Sequence, residues 1–301
     1  MRAFYSDTFR LPLPPTHTFP MEKYTRLRER IVAEGILAAS DLVVPHAATD
    51  DELAHAHDPD YVRRVRDGAL TADEIRRIGF PWSPQMVERS RRSAGATLEA
   101  SAAALEDGIA ANLAGGTHHA FRDRGSGYCV FNDTAVAALV HLRAGHARRV
   151  VVLDADVHQG DGTAAILEAE DRAFTFSIHG RKNFPRVKQR SDLDIELEDG
   201  TQDAEYLEAL QRGVRAALDA AQPDLAFYLA GADPLVGDRF GRLAVTKAGL
   251  AERDRFVLSE CRRRGIPVSI AMAGGYAKVV EDTVDVHVAT IRIAAELHGN
   301  G

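Results

Sequence analysis

Apolar residues along this chain fall into two patterns. Short continuous runs rich in Val, Ile, Phe and Ala occur at 111–114, 150–153, 173–179, 225–230 and 268–273. Longer segments between them repeat their apolar positions every three to four residues. A continuous run marks a strand covered on both faces of a parallel sheet, and the longer repeat marks a helix with one buried stripe. Residues 3–5 and 42–44, the latter ended by Pro45, read as two further strands. Helices are expected over 22–39, with Tyr24, Leu27, Ile31 and Leu37 near one stripe, and over 50–67, 134–145, 164–169, 203–221 and 283–297. Another runs from Ser83 as N-cap, with Pro84 in its first turn, to Gly108, and another from Thr246 to Gly265. The prolines at 12, 14, 15 and 20 exclude helix from the stretch before residue 22. Strand–helix alternation predicts an α/β fold, a mostly parallel sheet between two helical layers. No repeat, low-complexity tract or linker interrupts it, so 1–301 reads as a single domain.

Polar residues gather where the apolar runs stop. Val150–Leu153 is followed by Asp154, Asp156 and His158, spaced two apart, then by Gly160, Asp161 and Gly162. In extended chain that spacing puts all three side chains on one side. The carboxyl ends of the strands are where open α/β sheets bind ligands. Oxygen and nitrogen donors without sulfur suit zinc, ferrous iron or manganese, and three protein ligands with an open position is the catalytic arrangement. The run at 111–114 leads into Gly115, Gly116, Thr117, His118 and His119; the run at 225–230 leads into Asp233, a natural third ligand; the run at 268–273 leads into Gly274, Gly275 and Tyr276. Four strand ends carrying chemistry is the main evidence for a site. His55 and His57, two apart on an expected helix, read as surface residues, and Trp82 as a packing residue.

Composition narrows the partners. The chain is 45% hydrophobic and 27% charged, ordinary for a globular fold, and its net charge of −7 argues against nucleic-acid binding. Two cysteines, Cys129 and Cys261, fit a reducing compartment. Met1–Arg10 lacks the apolar core of a signal peptide and no run spans a bilayer. The expectation is a cytoplasmic protein with no membrane partner; the oligomeric state stays open.

Five ordered motifs resemble the zinc-dependent histone deacetylase family: GGTHHA at 115–120, SGYCVFND at 126–133, DADVHQGDG at 154–162, GADPLVGD at 231–238 and GGY at 274–276. The stretch 237–243 with His158-Gln159-Gly160 is most similar to the class IV branch and its bacterial relatives. The resemblance implies the arginase-deacetylase fold with an eight-stranded parallel sheet. It implies Asp156, His158 and Asp233 as ligands of Zn2+, with Fe2+ as an alternative. His118 and His119 would be tandem catalytic histidines oriented by Asp154 and Asp161, and Tyr276 the tyrosine that polarises a carbonyl. Gly127, Tyr128, Phe184 and Gly275 would line a substrate tunnel, Tyr128 standing where many members carry phenylalanine. A structural K+ site would use Asp154, Asp156, His158, Ser177 and Ile178. The last motif holds only two glycines where many relatives hold more.

The implied reaction is hydrolysis of an acyl-lysine amide by metal-activated water. His119 would act as general base and then acid, while His118 stays charged. Three readings compete. A small-molecule deacetylase of acetylpolyamines would use the same site. A non-catalytic acyl-lysine binding module is opposed by the presence of every expected catalytic residue. An arginase-type enzyme would need more carboxylate than Asp233 supplies.

Overall fold

The computed structural model describes residues 1–14 and 16–299; Pro15 of the proline-rich segment and the last two residues lie outside them. Eight strands form one sheet: β1 (Ala3–Phe4), β2 (Leu42–Val43), β3 (Ile109–Asn112), β4 (Val150–Asp154), β5 (Ala173–Gly180), β6 (Leu193–Leu197), β7 (Leu225–Leu229) and β8 (Val268–Ala271). Their order is β2-β1-β3-β8-β7-β4-β5-β6 and every pairing is parallel. The expected parallel α/β architecture is therefore observed. The described helices are α1 (Glu22–Ala33), α2 (Asp50–Leu53), α3 (Pro59–Asp67), α4 (Ala72–Ile78), α5 (Pro84–Asp107), α6 (Asp133–Ala144), α7 (Asp161–Leu167), α8 (Asp203–Ala221), α9 (Lys247–Arg263) and α10 (Val280–Gly299).

The continuous apolar runs follow from burial on both faces. Within β4, Val151 and Leu153 join one core with Leu27 and Ile31 of α1, Leu210 and Val214 of α8, Val257 of α9 and Ile291 of α10. Val150 and Val152 point the other way, into a core with Val62 of α3, Leu98 of α5 and Val136 of α6. β7 divides likewise, Ala226 and Tyr228 against Leu225, Phe227 and Leu229. Alternation of period two therefore exists, but both phases are apolar. Among the described residues, no helix is long and apolar enough to cross a membrane.

Several expectations need correction. The helix expected over 22–39 ends at Ala33 and the one over 50–67 is two, α2 and α3, because Pro59 starts a new helix with Asp58 before it. β3 ends two residues early, since Asn112 Oδ1 takes the Ala114 N–H at 2.9 Å and turns the chain. α4 and β6 were not expected. β6 pairs only with β5, at the sheet edge, and its sequence alternates Leu-Asp-Ile-Glu-Leu. His57, expected at the surface, is fully buried. Its Nδ1 lies 2.8 Å from the Phe121 carbonyl and its Nε2 accepts the Asn132 N–H at 2.9 Å. It thus ties residue 121 to residue 132 within the long connection between β3 and α6. Trp82 packs as expected, its indole N–H donating to the Val65 carbonyl at 2.8 Å.

Burial pushes the His57 pKa down to about 4. The unfolded chain protonates histidine near ~6.5, so acid favours unfolding as pH falls from that value toward the folded one, by on the order of 3 kcal/mol in total. We expect His57→Gln to unfold more easily than the native chain at pH 7.5, yet to lose less additional stability between pH 6.5 and 4.5. Urea unfolding at both pH values measures this; equal losses in the two proteins would contradict it.

Candidate active site

Four strands carry the polar residues at their ends, and the sheet places those strands side by side, as β3-β8-β7-β4. Neighbouring parallel strands lie about 4.8 Å apart, so their carboxyl-terminal loops fall within one small area. The loops also interlock. Gly115 and Gly116 both have positive φ, and a Cβ on Gly116 would lie 2.5 Å from the Cβ of Ala273, at the end of β8. Asp133, the first residue of α6, accepts the N–H groups of Gly116 (3.0 Å) and Thr117 (2.7 Å). That grip fixes the turn immediately before His118.

At the centre, ligand atoms of Asp156, His158 and Asp233 lie within 4.8 Å of one another, all buried. His158 Nδ1 is 2.9 Å from Asp156 Oδ1 and 3.2 Å from Asp233 Oδ2. Asp156 Oδ2 accepts the Gly274 N–H and Asp233 Oδ1 the Val157 N–H, while Asp233 Oδ2 makes no hydrogen bond. Burial and the neighbouring Asp156 charge raise the Asp233 pKa to about 6. Burial works against protonation of His158, yet the two carboxylates outweigh it and raise its pKa to about 10. A buried cluster that draws a proton this strongly calls for positive charge. Two carboxylates, one of them with an orphaned oxygen, and an imidazole nitrogen fit a divalent cation of the zinc or ferrous type.

Beside the cluster stand two histidines in contrasting states. His118 Nδ1 is 2.7 Å from Asp154 Oδ2, and His119 Nδ1 is 2.6 Å from Asp161 Oδ1. Burial disfavours the charge on both. For His118 it is outweighed by Asp154 and Asp156, which raise the pKa to about 9. For His119 it is reinforced by the charge of His118, and the pKa falls to about 4. The rings are 4.1 Å apart between centroids, too close for both to be charged comfortably.

A cavity of about 640 Å³ opens above these groups. Gly127, Tyr128, Phe184 and Tyr276 line it, together with Phe19 and Phe240. Phe184 stands edge-on to His119 at 4.8 Å, and a Cβ on Gly127 would meet both rings. Tyr128 has φ +65° and stacks on Phe80 at 5.2 Å, while its hydroxyl lies 3.1 Å from Thr18 Oγ1. Gly275 is not among the residues that line the cavity. Asp154 and Ser177 are register partners on β4 and β5; Ser177 and Ile178 are buried there.

The Histone deacetylase domain family matches residues 17–291. The chain belongs to that family. It is 43% identical over 294 residues to an uncharacterized protein of Picosynechococcus sp. (strain ATCC 27264 / PCC 7002 / PR-6), covering 98% of each chain. It is 30% identical to Histone deacetylase 2 of Arabidopsis thaliana, over 89% of this chain and 73% of that one. It is also 30% identical to the acetoin utilization protein AcuC of Staphylococcus aureus (strain MSSA476), over 80% and 67% respectively. The crystal structure of the HDA15 HD domain superposes with a TM-score of 0.82 at 21% identity, over 98% of this chain and 88% of that one, and shares its fold.

Within this deacetylase-family site, several residues escaped the sequence reading. Arg253 of α9 is fully buried and donates to the Gly231 carbonyl at 2.6 Å, bracing the loop that carries Asp233. Asp238 accepts the Tyr276 N–H at 2.6 Å, and Arg239 Nε donates to the Tyr276 carbonyl at 2.9 Å. Lys23 of α1 is buried, with Nζ 3.3 Å from the Ala273 carbonyl, 3.2 Å from the Gly275 carbonyl and 5.2 Å from the Tyr276 ring centroid. The Ala273–Tyr276 turn is thus held from three sides.

Lys23→Met removes both carbonyls' partner. We expect kcat on an acetylated amine to fall roughly tenfold or more with KM little changed, because a misplaced group costs rate more than binding. Steady-state kinetics decide it: an unchanged kcat would show that Tyr276 is positioned without Lys23.

Proposed function

We propose that this protein is a metal-dependent deacylase of lysine side chains, hydrolysing acetyl or longer acyl amides. The observation that supports this most directly is the buried Asp156–His158–Asp233 cluster lying beside His119, itself held by Asp161, under an aromatic-walled cavity. The family's deacetylase chemistry agrees with it. Asp156, His158 and Asp233 would hold the cation, Zn2+ in the first instance and Fe2+ as the alternative. When bound, it supplies Lewis acidity toward the acyl carbonyl and a water acidified from 15.7 to about 7.

The chain's own residues do the rest. With Nδ1 engaged by Asp161, Nε2 of His119 is the nitrogen left to take the water's proton and return it to the leaving amine. Its depressed pKa keeps it neutral and ready to accept at pH 7. His118, charged at pH 7 through Asp154, places positive charge beside the developing oxyanion. Tyr276 donates its hydroxyl to that oxyanion. Tyr128 and Phe184 flank a lysine-like methylene chain. A structural K+ at Asp154, Asp156, His158, Ser177 and Ile178 belongs to the same reading, supported by the adjacency of Asp154 and Ser177 on paired strands.

Turnover of an acetyl-lysine peptide by the purified protein tests the proposal; no hydrolysis of acetyl or longer acyl-lysines by the metal-loaded protein would refute it. Tyr276→Phe keeps the ring and removes one donor, so its rate should fall by about 10²–10³, with metal content and melting temperature nearly unchanged. If the variant instead melted early with its rate per folded molecule intact, Tyr276 would be structural.

Gly274→Ala separates metal from acid–base chemistry. Its new Cβ would lie 2.6 Å from Asp156 Oδ2 and closer still to Asp233 Oδ2. We expect this single methyl to abolish stoichiometric metal by elemental analysis. Full retention would mean the cation sits elsewhere.

A further inference from the structure

The cavity mouth carries the opposite charge to the molecule. The chain has 44 acidic against 37 basic residues, yet the cavity is lined by Arg76, Arg77, Lys182, Arg239 and Arg242, with Asp156 the single carboxylate among its lining residues. Asp156 is buried in the floor, whereas all five cations are exposed. Three of the five have a carboxylate beside them, but only two carboxylates serve all three. Arg76 pairs with Asp73, and Lys182 and Arg242 share Asp199, at 3.6 and 3.4 Å. Arg239 spends its hydrogen bonds on two backbone carbonyls, those of Tyr276 and Thr18, which leave its charge intact. Among the described residues, no carboxylate forms an ion pair with Arg77. Five cations against two carboxylates leave a net positive ring around the entrance.

We propose that this ring selects acyl-lysine substrates embedded in acidic sequence, with Asp or Glu flanking the modified lysine. The inference rests on the deacylase reading and names its substrate class. The cations sit at the mouth and not at the floor, where buried histidines and carboxylates surround the reacting carbonyl. They therefore meet what flanks the acylated side chain, not the acyl group. The same ring repels the remaining ammonium groups of an acetylpolyamine and the neighbouring lysines of a basic tail. Charge of one sign around a low-dielectric cleft concentrates ligands of the other and excludes its own.

The test titrates two fluorescent acetyl-lysine peptides, identical except for Asp or Lys at the two positions on each side, into as-purified His119→Ala protein, read by anisotropy. The Asp peptide should bind at least about tenfold tighter at 50 mM salt, and the gap should close toward 500 mM as screening shortens to a few ångströms. Arg77→Glu/Lys182→Glu in the same background should erase or invert it. Equal affinities, a preference for the Lys peptide, a gap indifferent to the double substitution, or no binding of either peptide would each overturn the proposal. Turnover by the unmodified, metal-loaded protein is scored separately: an affinity gap with no hydrolysis of acetyl or longer acyl-lysine peptides would refute the deacylase reading and leave the acidic preference standing.

Discussion

Two carboxylates, Asp156 and Asp233, are buried against each other in this protein, and most of the surrounding structure answers that fact. Desolvation alone makes such a pair costly, and their mutual repulsion adds to it. The fold offsets this with backbone N–H groups from Val157, His158 and Gly274 and with the imidazole of His158. Arg253 adds a buried cation behind the Gly231 carbonyl. Even so, Asp233 Oδ2 makes no hydrogen bond, with the His158 ring 3.2 Å away. The unmet demand for positive charge is local and directional, and it faces the place where the proposed cation is needed. Glycine at 274 and at 231 follows from the same crowding, since a Cβ at either would press on Asp156 and Asp233.

The same field divides the tandem histidines. His118 looks toward Asp154 and Asp156 and is driven to the charged state; His119 has one carboxylate, Asp161, and a charged neighbour 4.1 Å away between ring centroids. Neighbouring groups with pKa values pushed to opposite sides of neutrality hold different charge states at the same pH. Here the separation originates in which aspartate each ring faces. β4 supplies Asp154 at its last residue and α7 supplies Asp161 at its first, so one strand–turn–helix segment sets both states.

How much of this was readable in the sequence depended on the range of the interactions involved. Apolar runs followed at once by Asp, His or Tyr announced both a strand and its end, so β4, β5, β7 and β8 and the residues beyond them were legible. The family resemblance then arranged those residues into one site. What the sequence hid were partners far along the chain. His57 looks like a surface residue of a polar helix until Phe121 and Asn132, 64 and 75 positions away, are seen to hold its ring. Lys23 looks like an ordinary charge in the first turn of a helix, yet its carbonyl partners lie 250 and 252 residues on. Phe19 and Phe240 are isolated aromatics in loops, and no spacing marks them as cavity walls. β6 was missed for a different reason: as an edge strand it is half exposed and alternates, so it lacks the continuous run that betrayed its neighbours.

The turn carrying Tyr276 shows how one chain meets a constraint by an unexpected division of labour. Ala273 sits at φ +54°, where an L-residue with a Cβ costs roughly 1–2 kcal/mol relative to the right-handed region. Glycine would avoid that cost, and the resemblance suggests that many relatives use it. Here the missing Cβ has moved across the contact. Gly116, in the loop after β3, leaves open the space into which the Ala273 methyl projects, since a Cβ there would lie 2.5 Å away. The alanine then gains burial in the apolar core on the α5 side of the sheet. Its carbonyl and that of Gly275 are gripped by Lys23, so the left-handed bend is fixed by its hydrogen bonds more than by the freedom of its residues. Tyr276 inherits its position from this arrangement, and a reading that counts glycines in its motif looks for rigidity in the wrong place.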